Sequence, residues 1–553
     1  MNDYEKLAEL LFPDISFSPE QYEEKYPPRT LPQGARVTRF APSPTGFLHI
    51  GNLFTAYVNK LTAENSGGVF FLRIEDTDKK REVEDGVSGI LEGLRAFDVE
   101  PDEGVLGFEV EQGEYGPYQQ SNRSDIYRCY AKELVKQGLA YPCFCSEDAL
   151  NDIRAEQELQ KVNKGYYGKW ALCRSLTPEE LLVAAKTGKP YVLRLRSTGD
   201  ENRRIVFEDM IKGKIEMPQD IMDIVLLKTD GIPTYHFAHA VDDHLMRTTH
   251  IIRSDEWIAS VPLHIALFKA CGFKVPKYAH VSPLMKEDVG GKRKLSKRKD
   301  PEAAVSFFVE QGFPKACMLE YLLTLINSNF EDWRKANPGA PQNEFPFNLK
   351  KMSASGALFD MVKLNDVSKN TVAVMTAKEV YEQATAWAKD FDTQLYALLC
   401  EAPDYARAIL DIDRGNKNPR KDIARWSELK EYVAYFYDEL YKPNFELPAN
   451  ILPEDAAKVL KTYQSVLCVE DDKQTWFAKI KDMCPELGYT PNVKEFKKTP
   501  ENFKGHVGDI SAMIRIALTS RRNTPDLHAI IRLLGADKVQ QRMEDAIQYY
   551  EAQ

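Results

Sequence analysis

Short apolar runs alternate with segments of helical periodicity in the first half of the chain. Residues 36–41 and 69–74 have the length and composition of buried strands. Between them we expect a helix to begin near His49 to Gly51, because five apolar residues share one helical face: Leu53, Phe54, Tyr57, Val58 and Leu61. The alternation predicts a parallel α/β core.

The pattern changes after Cys143. Ser146 is placed to cap a long charged helix, and Thr177-Pro-Glu-Glu180 has the form of a capping box with proline at the first helical position. This stretch therefore indicates an insertion of mixed character between two halves of the core.

Strand-like runs return at residues 223–228, 248–253 and 278–281, so the core is expected to resume there. From Thr376 onwards helical signals dominate, and Gly535 is a candidate helix stop. The predicted fold class is a Rossmann-like α/β core with an α+β insertion, followed by an all-α C-terminal region.

These changes of pattern predict six segments. They are an N-terminal extension at 1–34, a first half of the Rossmann-like core at 35–142, an insertion at 143–220, a second half of the core at 221–300, a connector at 301–375 and a helical region at 376–553. A chain of 553 residues is too long for a single hydrophobic core, so several domains are expected.

Composition and charge narrow the class of protein. Hydrophobic residues make up 43% of the chain, an ordinary share for a soluble protein, and no run of about 18 apolar residues predicts a membrane span. The first residues lack the pattern of a signal peptide, so a cytoplasmic location is expected. A formal net charge of −10 argues against nonspecific nucleic-acid binding but leaves room for local basic patches.

Two segments far apart in the chain carry the strongest chemical signal. A strand, the turn Pro42-Ser-Pro-Thr-Gly46 and the helix start at His49-Ile-Gly-Asn52 form the kind of helix N-terminus that binds anions. Residues 292–299 form a basic loop that can neutralise charge on phosphates. A lone His-x-Gly favours an ordinary turn, and a lone charge run favours a solvated loop, but their combination predicts a nucleotide site.

At these residues the chain resembles the class I aminoacyl-tRNA synthetases in their glutamyl form. Residues 39–52 resemble the HIGH signature and Lys294-Leu-Ser-Lys-Arg298 resembles the KMSKS loop. Further motifs in the same order extend the resemblance: Arg73-Ile-Glu-Asp-Thr-Asp78, Gly116-Pro-Tyr-Gln-Gln-Ser121, Tyr141-Pro-Cys-Phe-Cys145, Pro233-Thr-Tyr-His236 and Ile252-Arg-Ser-Asp-Glu-Trp257.

The resemblance implies ATP-dependent activation of L-glutamate, with Mg²⁺, and its transfer to the terminal adenosine of tRNA(Glu). It also implies that the insertion at 143–220 binds the acceptor stem of the tRNA and that the helical region at 376–553 binds the anticodon. The catalytic residues it implies are His49, Lys294 and Lys297. The ATP-binding residues it implies are His49, Gly51, Asn52, Lys294, Ser296 and Lys297. The glutamate-binding residues it implies are Arg39, Ser43, Glu75, Tyr235 and Arg253, with arginine favouring a carboxylate over an amide. His239 stands where the family often has asparagine, and Trp257 matches a wall of this pocket.

Three of the cysteines are candidate ligands of a metal ion. Nine cysteines are scattered, but Cys143, Cys145 and Cys173 could bind zinc with Tyr167 or water as the fourth ligand. The family sometimes carries zinc here, yet this chain departs from the family's tyrosine spacing and has no histidine nearby. The sequence therefore leaves two alternatives for these cysteines, a zinc site or no metal.

Some similar motifs and rival functions are disfavoured by the sequence. Lys351-Met-Ser-Ala-Ser355 resembles the KMSKS letters but has Ala354 where a second lysine is needed, so a structural role is expected. A tRNA-modifying relative or a small-molecule nucleotidyltransferase would need no long helical C-terminal region. A glutaminyl enzyme fits the Tyr-His pair and Arg253 less well, and the intact basic loop argues against a nonenzymatic RNA-binding paralogue. The sequence leaves open whether tRNA(Gln) is charged as well as tRNA(Glu). By analogy, we expect the protein to be a monomer.

Overall fold

The structure is a computed structural model that describes residues 2–78, 83, 85–107, 109–296 and 298–553. The chain forms two compact units. The first comprises Met1–Phe308 and Leu319–Asp360, and the second comprises Val309–Met318 and Met361–Gln553. The expected connector at 301–375 thus contributes residues to both units.

The first unit contains most of the strands. Through its parallel core and insertion, the elements are α1 Asp3–Leu11, α2 Pro19–Lys25, β1 Val37–Phe40, α3 Ile50–Glu64, β2 Val69–Leu72, α4 Gly86–Arg95, β3 Glu103–Gly107, β4 Val110–Gln112, α5 Ser124–Lys136, β5 Ala140–Cys143, α6 Glu147–Leu159, α7 Pro178–Lys186, β6 Val192–Leu195, β7 Arg204–Asp209, β8 Gly213–Pro218 and β9 Val225–Leu227. They continue with α8 Tyr235–Leu245, β10 His250–Ser254, α9 Val261–Ala270, β11 Lys277–Val281, β12 Leu284–Asp288, β13 Gly291–Lys294, α12 Phe330–Ala336 and β14 Ala357–Leu358. The residues of α10 Val305–Gln311 and α11 Lys315–Ile326 are divided between the two units.

Two four-stranded sheets form the α/β core. Strands β1, β2 and β3 are parallel and β4 closes this sheet in the antiparallel sense. Strands β10 and β11 are parallel, and β11 pairs with the β7–β8 hairpin. The sheets are neighbours, because Val37 O accepts a hydrogen bond from Thr249 N at 3.0 Å. This parallel α/β arrangement confirms the predicted core.

Strand pairing does not follow the boundary expected at residue 220. Strand β9, which was expected to reopen the core, pairs with β6 in a separate antiparallel sheet that also contains β5. The hairpin β7–β8, which was expected in the insertion, pairs instead with β11 of the core. Local apolar patterns predicted these strands but carried no information on which partner each would find.

Local capping signals are confirmed at several helix ends. Ser146 accepts from Ala149 N at the start of α6, and Thr177 with Glu180 forms the capping box of α7. The extension before β1 is helical and tied to the core, because Lys132 Nζ donates to Glu9 Oε2 at 2.7 Å. Both N-terminal helices lie against α5, and this ion pair fixes α1 there.

The second unit is helical. Its further elements are α13 Met361–Val374, α14 Ala377–Phe391, α15 Thr393–Glu401, α16 Pro403–Asp411, α17 Leu429–Val433, α18 Pro453–Val466, α19 Lys473–Asp482, β15 Tyr489–Thr490, α20 Val493–Lys498, β16 Gly505–His506, α21 Val507–Thr519, α22 Leu527–Leu534 and α23 Ala536–Glu551. The Thr376 capping box begins α14, and α22 ends before Gly535, as predicted. One large apolar core joins these helices. None of the described helices is long and apolar enough to cross a membrane.

Candidate functional site

A cavity of about 540 Å³ opens where the two core sheets meet. Its walls come from the residues after β1, from Glu75 after β2 and from the end of β10. Ligands of open α/β sheets bind outside the carboxyl ends of the strands, at the point where strand order reverses. The five residues expected around glutamate all lie on this cavity: Arg39, Ser43, Glu75, Tyr235 and Arg253.

Buried ion pairs occupy the floor of this cavity. Asp243 Oδ1 accepts from Arg73 NH1 at 2.7 Å and from Arg39 Nε at 3.1 Å. Glu75 Oε1 accepts from Arg73 NH2 at 2.9 Å. Burial opposes ionisation of Asp243, yet Arg39 and Arg73 hold the pKa of its carboxyl well below the usual range. Arg39 therefore reaches the cavity with much of its charge already balanced.

Arg253, unlike Arg39 and Arg73, has neutral hydrogen-bond partners. It is buried at the end of β10, and among the described residues it has no carboxylate within ion-pair distance. Its Nε donates to His280 Nε2 at 3.2 Å, and its NH2 lies 3.1 Å from His264 Nδ1. NH1 is buried without a hydrogen-bond partner in the described part of the chain. Arg253 thus brings to the cavity wall a positive charge that no carboxylate of the described residues balances.

Aromatic rings complete this wall. The Tyr235 and Trp257 rings lie 4.5 Å apart between their centroids, and Arg253 is 5.8 Å from the Trp257 ring. Burial raises the pKa of Tyr235 to about 12, so its hydroxyl stays protonated. His239 is fully buried, with Nδ1 3.0 Å from Asp243 Oδ2, which places it beneath the cavity floor.

A second cavity adjoins the first at the start of α3. It is lined by His49, Gly51, Asn52 and Lys294, and it shares Asn52, Thr55, Ser254 and Glu256 with the first cavity. The structure brings together residues from both ends of the nucleotide signal, although about 240 positions separate them in sequence. Ser43 lies on the first cavity, and Ser296 lines neither of the two.

The N-terminus of α3 differs from the expected open anion site. His49 is the N-cap, and its Nδ1 accepts from Gly51 N at 2.9 Å. The amides of Asn52 and Leu53 donate to His49 O. Since these three backbone donors are occupied within the helix, we expect side chains to supply most of the contacts to a phosphate here. In the neutral tautomer that this cap requires, the ring proton of His49 lies on Nε2.

The basic loop is anchored by Asp300. Arg293 NH1 and NH2 donate to the two oxygens of Asp300 at 2.6 and 2.7 Å, and Ser296 N donates to Asp300 Oδ2 at 2.9 Å. Lys294 is exposed, with Nζ 3.2 Å from Glu256 Oε2 at the edge of the cavities. Lys297 lies outside the described residues, so its assignment to phosphate stays a prediction.

The second loop that resembles the KMSKS sequence, residues 351–355, is hydrogen-bonded to neighbouring parts of the protein. Ala354 O accepts from Lys212 Nζ at 2.6 Å and from Ser282 Oγ at 2.9 Å. These bonds tie Ala354 to the turn before β8 and to the residue after β11, in keeping with the expected structural role.

Three cysteines form a cluster in the insertion. The Sγ atoms of Cys143, Cys145 and Cys173 all lie within 4.8 Å of one another. The fourth group is Tyr166, whose hydroxyl is 3.4 Å from Cys143 Sγ and 3.3 Å from Cys145 Sγ. The hydroxyl of Tyr167, which the sequence offered as an alternative to water, donates instead to Asn163 O at the surface. Adjacent tyrosines differ in direction here, and only the fold decides which one faces the cluster.

The fold and these adjoining cavities are those of an open α/β protein with its ligand crevice at the switch point. Residues 36–366 match the family model for tRNA synthetases class I (E and Q), catalytic domain, and residues 379–547 match the model of an anticodon binding domain. The chain therefore belongs to the class I tRNA synthetases of the E and Q type.

Similar proteins extend over almost the whole chain. A glutamate–tRNA ligase from Clostridium perfringens (strain 13 / Type A) is 47% identical over 98% of this chain and 100% of its own length. One from Acetivibrio thermocellus is 48% identical over 98% of this chain and 99% of its own length. The crystal structure of a glutamate tRNA ligase from Elizabethkingia meningosepticum, in complex with its amino acid, superposes with a TM-score of 0.72 at 27% identity, covering 93% and 99% of the two chains.

Proposed function

We propose that this protein ligates L-glutamate to tRNA in an ATP-dependent reaction through a glutamyl-adenylate. The observation that supports this most directly is the pair of adjoining cavities, one with the uncompensated Arg253 and one with His49 and Lys294. Glutamate in the first cavity would place its side-chain carboxylate at Arg253. Glu75, on the same cavity, is suited to the α-ammonium group.

The shared wall is where the two substrates would react. Attack of the glutamate α-carboxylate on the α-phosphorus of ATP builds negative charge on the phosphates and releases pyrophosphate. The protein needs to supply position and preorganised positive charge rather than covalent chemistry. His49 Nε2, Asn52 and Lys294 are the described side chains we assign to ATP, with Mg²⁺ accompanying the nucleotide, and Lys297 completes the assignment from sequence.

Aminoacylation of purified tRNAs tests this function. Labelled glutamate and labelled glutamine are each offered with tRNA(Glu) and with tRNA(Gln). Charging of tRNA(Glu) by glutamate, lost in Lys297→Ala, is the expected result. Charging of tRNA(Gln) by glutamate as well would extend the substrate range to a second tRNA. A folded protein that binds tRNA but charges neither tRNA contradicts the proposal.

Lys294→Ala should slow adenylate formation. Removing one well-placed donor to a developing charge typically lowers the rate about 100- to 1000-fold. We expect kcat to fall in that range, measured as pyrophosphate exchange with tRNA present. Lys292→Ala is the matched control, because Lys292 is exposed on the same hairpin but does not line the cavity. Equal losses in the two variants would show that only the general charge of the loop matters.

We also propose that the cysteine cluster binds zinc. A tetrahedral zinc with Zn–S bonds of about 2.3 Å places its sulfurs roughly 3.8 Å apart. Cys145 Sγ and Cys173 Sγ lie 3.7 Å apart, and the Tyr166 hydroxyl offers a fourth donor. Hydrogen bonding with Cys173, and also with Tyr166, lowers the pKa of Cys143. A zinc ion bound here would join β5 to the turn that holds Cys173.

Elemental analysis of the purified protein should find about one zinc per chain, as a four-ligand structural site holds a single ion. Cys145→Ser should lose the metal and make the insertion more sensitive to proteolysis. Cys271→Ser serves as control, since Cys271 lies outside the cluster. Metal-free protein with normal stability would contradict this proposal and leave a cluster of thiols joined only by hydrogen bonds.

The remaining assignments concern tRNA binding, cellular location and oligomeric state. We propose that the helical second unit contacts the anticodon region of tRNA, in keeping with the family model that matches there. We further propose a cytoplasmic monomer. Light scattering of the purified protein, alone and with tRNA, tests the oligomeric state.

A further inference from the structure

Arg253 is held in place by histidines. His280 lies directly opposite Arg253 on the neighbouring strand β11, and His264 approaches from α9. His280 Nε2 accepts from Arg253 Nε, and His264 Nδ1 lies 3.1 Å from Arg253 NH2. Trp257 O receives a third, longer contact from NH2 at 3.4 Å. The guanidinium is thus held through Nε and NH2, while NH1 has no hydrogen-bond partner among the described residues.

The hydrogen bonds require both histidines to be neutral. An arginine is always a donor, so the ring nitrogen that faces it must be an unprotonated acceptor. His280 then carries its proton on Nδ1, which lies 2.7 Å from Asp209 Oδ2. His264 carries its proton on Nε2, which lies 2.9 Å from His236 Nδ1. Each acceptor therefore has a partner that fixes its tautomer.

The surroundings keep these rings neutral. Burial, reinforced by His239 and Arg253, lowers the pKa of His264 well below its usual value. Burial also lowers the pKa of His280, against the opposing effect of Asp209. The Asp209 carboxylate is one imidazole away from Arg253, so it orients the histidine without forming an ion pair with the arginine.

Resting on the proposed function, we infer that His264 and His280 are positioning residues that hold Arg253 with neutral acceptors. They thereby leave the charge of Arg253 unpaired, so that it can pair with the side-chain carboxylate of glutamate. The contrast with Arg39 and Arg73 supports this role. Asp243 balances those two arginines directly. A carboxylate in direct contact with Arg253 would compete with the substrate and weaken the preference for glutamate over glutamine.

Two isosteric variants separate charge from shape. In His264→Asn, the amide oxygen takes the place of Nδ1 as a neutral acceptor. In His264→Asp, a carboxylate stands at the same position and pairs with Arg253. We expect the Asn variant to keep the KM for glutamate within about 3-fold and the Asp variant to raise it by about 10-fold or more, with kcat changed less in both. Glutamine should inhibit the Asp variant more strongly, relative to glutamate, than it inhibits the wild type.

Equal KM values for the Asn and Asp variants would overturn the inference, whether both are normal or both impaired. If the Asp variant does not fold, His280→Gln against His280→Leu provides the second comparison. Gln keeps an acceptor near the position of Nε2 and should preserve the KM, whereas Leu should raise it. A failure of Gln to rescue also overturns the inference.

Failure of the proposed function is distinguishable from failure of this inference. Wild-type charging of tRNA(Glu) tests the function alone. Calorimetric titration of wild type, His264→Asn and His264→Asp with glutamate requires no catalysis and tests the positioning of Arg253. Wild-type protein that binds glutamate but charges no tRNA would refute the function, while the order of the three affinities would still decide the inference.

Discussion

Replacing Arg253 with glutamine should abolish the selection of glutamate. The change removes the cation whose NH1 is buried and unpartnered among the described residues, and leaves the side-chain carboxylate of glutamate facing neutral groups. Truncating one member of a buried charge pair typically costs about 2–5 kcal/mol, so kcat/KM for glutamate should fall by about 30-fold or more. Steady-state charging of tRNA(Glu) across glutamate concentrations measures this effect.

A surface arginine provides the comparison for this result. Arg204→Gln alters an exposed residue of β7 that pairs with Glu216, outside both cavities, and should leave kcat/KM unchanged. Arg253→Lys should remain well below wild type, because a lysine has no planar fork to meet a carboxylate while also reaching His280 and His264. A wild-type KM in Arg253→Gln would assign recognition of glutamate to Arg39 instead.

Replacing Asp243 with asparagine should cause the largest loss of stability. The carboxylate is fully buried and balances Arg39 and Arg73, both also buried. Breaking a buried ion pair by removing one partner costs about 3–5 kcal/mol, because the remaining charge stays uncompensated. Urea unfolding should therefore begin at markedly lower concentration. Glutamate binding should also weaken, since Arg39 and Arg73 would be released from their present geometry.

The control for Asp243 is a surface carboxylate of the same first unit. Glu64→Gln removes the exposed partner of the half-buried Lys60 on α3, an i, i+4 helix pair of the kind that contributes roughly 0.3–0.5 kcal/mol. Its unfolding curve should overlay that of the wild type. An Asp243→Asn protein as stable as Glu64→Gln would mean that the arginines find other partners, with Glu75 the nearest candidate for Arg73.

The sequence and the structure contributed differently to the candidate site. Motifs located the residues after β1 and β10 and the basic loop, because turn and capping chemistry is written in adjacent positions. They missed Asp243, His264 and His280. One signal was present, since Asp242-Asp243 interrupts the apolar face of α8, and buried acidic residues require a partner. The partner itself could not be read from the sequence, because Arg39 and Arg73 lie on other elements.

The sequence by itself determined the family, the α/β core with its helical second part, the helix caps and the identity of the residues expected at the two cavities. These depend on periodicity and on short motifs, which are local properties. Tertiary structure alone decided that β9 joins the insertion sheet, that Tyr166 rather than Tyr167 meets the cysteines, and that Arg253 rather than Arg39 has no carboxylate partner among the described residues. Each of these depends on which distant groups meet in space, since strand partners and charge balance are set by packing between elements and not by neighbours in the chain.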